Sequence, residues 1–316
     1  MKSETELHFV ESVCLPLLRR AQNQDGGWGF LPGSESRVEP TCWALQALLL
    51  STEPRTPEVS RAFQFLYVAQ LQDGSWPSVA GDKTGSWVTA LACWLLLKES
   101  NGTHAATRGL SWLCEDWPRD SSPWRRLLAI FSRQRDVFPI NNSYRGWGWT
   151  PRTSSWVEPT AFVLMAFAEC PPELLPAAAA KRRHLAEALL RDRMCPGGGW
   201  NCGNPRVYGV AGEPLAIPTV FALLALLHQP DKRENTASLS WLEGNLPHIQ
   251  GLGSLAAARL CLQVYGREWP DGAPEFSGIY EKTGFLPGIQ VAAWCCLALH
   301  ANKWLLRSAI RSEVRQ

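Results

Sequence analysis

The stretch Gln22-Asn23-Gln24-Asp25-Gly26-Gly27-Trp28 returns as Gln70-Leu71-Gln72-Asp73-Gly74-Ser75-Trp76, and each copy runs on into an apolar helical pattern rich in small side chains. Cys195-Pro196-Gly197-Gly198-Gly199-Trp200 keeps the glycines and the tryptophan, and Arg145-Gly146-Trp147-Gly148-Trp149 is a looser copy. A repeat of this period decides the fold before any single residue is weighed. Its loops have a mechanical reading that needs no ligand. Glycine permits the positive φ that ends a helix, the Gln amide can satisfy orphan backbone groups there, and the indole packs across the joint between units.

Two classes of helix alternate around these loops. The segments 6–22, 58–72, 105–116, 181–195 and 236–246 are amphipathic, with Leu, Phe and Trp at helical spacing and Arg, Glu and Gln opposite. The segments 41–50, 86–98, 157–170, 215–228, 252–265 and 288–301 are apolar nearly all round, and 124–134 reads as one further helix. An open solenoid would leave one face of such apolar helices in water, whereas a closed ring of helix pairs buries it. The expectation is therefore an all-α, α/α toroid of about six pairs, with apolar helices inside and amphipathic ones outside. Residues 1–316 read as one domain, since no linker or charge run divides them.

Composition excludes several classes of protein. Hydrophobic residues make up 46% of the chain and charged ones 19%, enough for a large core and unlike disorder. The 31 basic and 29 acidic residues nearly cancel, so no electrostatic footprint for nucleic acid is present. The start is polar and acidic, and no apolar run reaches the roughly 18 residues of a membrane span, which reads as a cytoplasmic protein. The stretch 304–311 is basic and amphipathic. Docking on its own ring is the first reading of it, and peripheral membrane contact the second. Most of the ten Cys lie within apolar helix patterns, as small hydrophobes. Cys195 and Cys202 flank a glycine-rich loop, but without a second pair they are a weak metal signal, and neither metal nor cofactor is expected.

The phrases 22–28 and 70–76 resemble the Gln-Trp motif of squalene–hopene and oxidosqualene cyclases, and the alternating helices resemble the toroid of the terpene cyclase and protein prenyltransferase superfamily. The resemblance spans most of the chain, which has about half the length of a two-domain triterpene cyclase and so implies a single toroid. In those cyclases an Asp-rich motif followed by Thr-Ala opens an inner helix, and its middle Asp protonates an alkene or epoxide. The nearest match is Val157-Glu158-Pro159-Thr160-Ala161, with Glu158 in the acid's place and Pro159 where another Asp would stand. The Asp-x-Cys pattern of the zinc-dependent prenyltransferases does not occur here, nor does the Asp-Asp-x-x-Asp box of magnesium-dependent synthases. Trp200-Asn201-Cys202-Gly203 is only a shadow of the lanthionine cyclase signature.

The residues themselves add candidates for chemistry. Glu39-Pro40-Thr41 and Glu158-Pro159-Thr160 recur at one point of two repeats, and Glu213-Pro214 opens a third inner segment. Proline suits the first helical position and a carboxylate before it complements the dipole, so a capping role is the plain alternative. In a ring of parallel inner helices these carboxyls converge on one mouth, where desolvation favours the neutral acid that alkene protonation needs. Trp156, Trp147, Trp149, Tyr144, Trp200, Tyr208 and Trp43 are the aromatic candidates for stabilising a carbocation or lining a substrate site. Small residues on inner helices, Ala44, Ala90, Ala161 and Ala222, suggest room for an apolar cavity. The reading is a metal-independent terpene cyclase acting on a hydrophobic isoprenoid, with Glu158 as its acid. The alternative is a non-catalytic toroid that binds a prenyl chain or a partner protein.

Overall fold

In the computed structural model, residues 2–51, 56–79, 81–99, 101–118 and 140–301 are described; the expected helix at 124–134 and the basic stretch 304–311 lie outside them. Two compact units are present. The first comprises Met1–Ala69, Val79–Gly81 and Glu243–Gln316, and the second Gln70–Ser78 and Asp82–Leu242.

In the first unit the apolar helices Leu252–Val264, Ile289–Leu299 and Val38–Ser51 lie side by side, with Ile289–Leu299 in the middle. The amphipathic Pro57–Ala69 packs on Val38–Ser51 and buries Val59, Ala62, Phe63 and Leu66, the stripe its period demands. The chain begins with Lys2–Phe9 and Leu15–Arg20, joined by a π turn at Val10–Cys14. Pro16 explains the turn, because it has no N–H to return to Ser12, and Leu15 bonds back to the Val10 carbonyl instead.

The second unit repeats the arrangement. Val88–Leu96, Val157–Glu169 and Ala216–Ala225 are neighbours, with Val157–Glu169 central, while Thr103–Glu115 covers the first and Ala179–Asp192 the second. All nine residues of Val88–Leu96 are buried, as a sequence apolar but for Thr89 requires. Ala44, Ala90, Ala161 and Ala222 are each 0% exposed. They let helices approach closely and do not border open space, which corrects the expectation that they mark a cavity. Outside the inner and outer helices, Phe276–Thr283 is a helix, and Arg206–Val207 pairs antiparallel with Val210–Ala211 in a short hairpin.

The glycine-tryptophan loops are joints of one design. Gln22 donates from its amide to the carbonyls of Gly26 and Glu58, and Gln70 does the same to Gly74 and Ala105, so each links its own loop to the following outer helix. Gly26 and Gly74 have φ of +89° and +93°, and a Cβ at either would collide with the backbone of Arg61 or Arg108. The indoles of Trp28 and Trp200 donate from Nε1 to the Leu18 and Leu190 carbonyls, and that of Trp147 to Leu113, serving carbonyls at or near helix C-terminal ends.

A further element of the joint is a threonine. The backbone N–H of Trp28, Trp76 and Trp147 donates to Thr41, Thr89 and Thr160, each 13 positions on, and that of Trp200 donates to Thr219, 19 positions on. The longer interval holds the 206–211 hairpin. In all four cases the threonine hydroxyl also points back to the carbonyl of the same tryptophan, so one buried side chain satisfies two backbone groups.

Candidate active site

These threonines align the repeats. Two residues before them stand Glu39, Trp87, Glu158 and Ile217. Glu213, by contrast, is exposed in the loop ahead of Ala216–Ala225, because Pro218 and not Pro214 precedes the joint threonine. It does not open an inner helix, which corrects that expectation. Glu39, in the first unit, accepts a hydrogen bond of 3.1 Å from Gln290.

Glu158 is different. It lies half-buried in the first turn of Val157–Glu169, and its carboxyl has no hydrogen-bond partner among the described residues. Burial raises its pKa to about 7, with no charge of the described residues contributing. The Cys202 carbonyl caps the preceding Val157 N–H at 3.3 Å, and the Cys202 thiol is pushed up, first by burial and then by the charge of Glu158. At neutral pH Glu158 is therefore divided between acid and carboxylate.

One helical turn beyond Glu158, on the same face, is Phe162. Its ring stacks on Trp87 at 5.1 Å and an interplanar angle of 28°, and lies 4.6 Å from Phe221. Trp87 in turn meets Trp149 edge-on at 5.0 Å. Four rings, one from a loop, one at the start of Val88–Leu96 and two from the bodies of Val157–Glu169 and Ala216–Ala225, thus form a chain that reaches the helix face one turn beyond Glu158. The sequence reading found Glu158 and Trp149 and missed Trp87, Phe162 and Phe221. The signal for Trp87 was its place two residues before Thr89, and for Phe162 the i,i+4 spacing from Glu158.

The remaining candidates fall elsewhere. Trp147 and Trp200 are 2% and 0% exposed and are committed to their joints through Nε1. Trp156 takes extended backbone at the start of Val157–Glu169 and donates its N–H to the Trp147 carbonyl. Tyr144 is half-buried in the loop before Trp147. Tyr208 is 75% exposed at the tip of the hairpin, with φ +52°, away from the aromatic chain. Trp43 belongs to the first unit, where it meets Trp294 edge-on at 5.7 Å. The Cys195 thiol is pushed up by burial, against the thiolate that metal binding needs, and no cluster of three metal-ligating side chains occurs among the described residues.

The raised pKa of Glu158 makes a stability prediction. The folded state holds its proton more tightly than the unfolded chain does, so folding stability is greatest below the ordinary carboxylate range and declines as pH rises towards about 7. Glu158→Gln should flatten this decline in denaturant titrations across that window. An unchanged pH profile in the variant would show that Glu158 does not carry it.

No family model matches the chain. Over 84 residues it is 33% identical to lanosterol synthase of Homo sapiens, a match covering 23% of this chain and only 11% of that protein. The structure is similar to endoglucanase Cel10, a family 8 glycosyl hydrolase from Klebsiella pneumoniae, with a TM-score of 0.59, 15% identity and coverage of 92% and 99% of the two chains. It is also similar to the type II terpene cyclase MstE from Scytonema, with a TM-score of 0.56, 13% identity and coverage of 96% and 99%. Such identities speak to fold alone. The chain has an all-α, α/α-toroid fold. No described helix is long and apolar enough to cross a membrane.

Proposed function

We propose that this protein is a metal-independent terpene cyclase in which Glu158 protonates an alkene of a hydrophobic isoprenoid. The observation that supports it most is the pairing of a carboxyl raised to about 7 by burial with the ring chain Trp149, Trp87, Phe162 and Phe221. The Glu158 O–H bond breaks as its proton adds to a terminal carbon of the double bond, and the π electrons form the new C–H bond. The tertiary cation that results is attracted to the nearby aromatic faces, is consumed by attack of a second double bond, and is finally quenched by loss of a proton. A carboxyl near 7 is a modest acid. Its advantage is that a large share of it is protonated at neutral pH when substrate arrives, and the rings lower the energy of the cation it creates.

Glycoside hydrolysis, which the fold also accommodates, uses two carboxyls flanking the scissile bond at about 5–9.5 Å. No second carboxylate among the described residues contributes to the pKa of Glu158, and Phe162, one turn along the same face, stacks on Trp87. That favours the cyclase. The other reading, a non-catalytic toroid binding a prenyl chain or a partner protein, draws on Pro159 standing where the cyclases carry a further Asp. Product analysis after incubation with squalene and a panel of polyprenyl alcohols and diphosphates tests the proposal. Cyclised product, formed at a rate that falls as pH rises through about 7, is expected. Saturable binding without turnover would replace catalysis with the binding role.

A further inference from the structure

A second buried acid lies apart from the candidate site, in the first unit. Glu6 of Lys2–Phe9 is 0% exposed. Its Oε1 accepts two hydrogen bonds from Ser277, 3.1 Å from the backbone N–H and 2.7 Å from the hydroxyl. Its Oε2 is sealed from solvent with no donor among the described residues. The neighbouring group within hydrogen-bond reach is the carboxyl of Glu275, the residue just before Phe276–Thr283, which is paired with Arg259 at 2.5 Å. Two carboxyls in contact in a dry setting are compatible only when one keeps a proton.

We propose that this shared proton is a pH-operated latch that fastens the chain-start helix Lys2–Phe9 to Phe276–Thr283. With the proton present, the Glu6 O–H donates to the Glu275 carboxylate while Oε1 accepts from Ser277. Phe9, one turn along the same face, then packs against Phe276 at 6.0 Å and Tyr280 at 4.9 Å. Loss of the proton leaves two facing carboxylates and only one guanidinium to balance them. The cheapest relief is for the start helix to move off and hydrate Glu6, since it is a short element at the edge of the unit's sequence and is followed by the π turn at Val10–Cys14. Release uncovers Phe9, Phe276 and Tyr280, so the switch changes an apolar surface as well as a charge.

The surrounding groups set the midpoint. Burial raises the pKa of Glu6 to about 7, Ser277 opposes the rise and Glu275 adds to it. Beyond Glu275, Arg259 and Tyr280, the ionisable side chains nearby are Cys14 on the start segment and Cys295 on Ile289–Leu299. Cys295 is held well above the usual thiol range by burial first, with the charge of Glu6 a smaller cause. The latch is closed below about 7 and opens as pH rises through it.

Hydrogen exchange on the full chain, expressed as protection factors so that the intrinsic pH dependence cancels, tests the latch. Between about pH 5.5 and 8.5, the amides of residues 6–9 and of Ser277 should lose roughly ten-fold or more of their protection, while those of Val88–Leu96 keep theirs. In Glu6→Gln the side-chain carbonyl still accepts from Ser277 and the amide donates to Glu275 at every pH, so the transition should vanish. In Ser277→Ala the anion loses the hydroxyl bond and keeps only the one from the backbone N–H, so the midpoint should move up; this variant decides the matter even if Glu6→Gln fails to fold. Equal protection at both pH values, an undiminished transition in Glu6→Gln, or a midpoint that moves down in Ser277→Ala would overturn the proposal.

Discussion

Glu158→Gln is expected to lower cyclisation by about 10²–10⁴-fold, the contribution of a positioned proton donor, with little change in substrate affinity. Glutamine keeps the shape and the polar character of the side chain but has no acidic proton to give. The structure predicts that stability will not suffer, because the carboxyl of Glu158 has no hydrogen-bond partner among the described residues to lose. Glu39→Gln and Glu213→Gln are the comparators: the first carboxyl is already engaged by Gln290 and the second is exposed in a loop. Steady-state rates of the three variants decide the assignment. If Glu39→Gln or Glu213→Gln falls as far as Glu158→Gln, the acid has been misplaced; if none of them changes the rate, Glu158 is a helix-start residue and no more.

Trp28→Ala is expected to destabilise the protein by about 3–5 kcal/mol, the cost typical of deleting a fully buried large aromatic side chain. Trp28 is 0% exposed, its Nε1 serves the Leu18 carbonyl at 2.7 Å, and its backbone N–H is received by Thr41 at 2.9 Å. Trp28→Phe keeps most of the packing and loses the Nε1 bond, so it should cost less, on the order of 1–3 kcal/mol for the carbonyl left unsatisfied. Thr41→Val strands the tryptophan N–H, while the Trp28 carbonyl still accepts from the Arg37 N–H at 2.8 Å, and should fall in the same range. Equilibrium denaturation at constant m-value measures all three. A loss below about 1 kcal/mol in Trp28→Ala would mean that the joints are not what holds adjacent helix pairs together.

Much of this design could be read along the chain because it is written in short-range patterns. The amphipathic stripe of Pro57–Ala69 and the apolar run of Val88–Leu96 follow from where side chains project on a helix, and both elements appear close to their expected places. The glycine-tryptophan loops were legible for the same reason: a positive φ at Gly26 and a capping amide at Gln22 are local solutions to ending a helix. Glu213 was misjudged because a Glu-Pro pair looks alike at a helix start and in a loop. Only the threonine that receives the tryptophan N–H fixes the register, and that contact spans 19 positions at Thr219.

The sequence by itself determined the repeat, the two helix classes, the α/α toroid and the position of Glu158 at an inner helix start, since each depends on residues within a turn or a loop of one another. Tertiary structure alone decided which aromatics join the ring chain. Trp87, Phe162 and Phe221 meet because Val88–Leu96, Val157–Glu169 and Ala216–Ala225 are neighbours in space, while Trp147 and Trp200, equally conspicuous in the sequence, are used up in joints. It also decided that Glu6, an ordinary acid on an amphipathic helix, is sealed against Glu275. Burial and the identity of a distant neighbour set a carboxyl's proton affinity, and neither is encoded in local spacing.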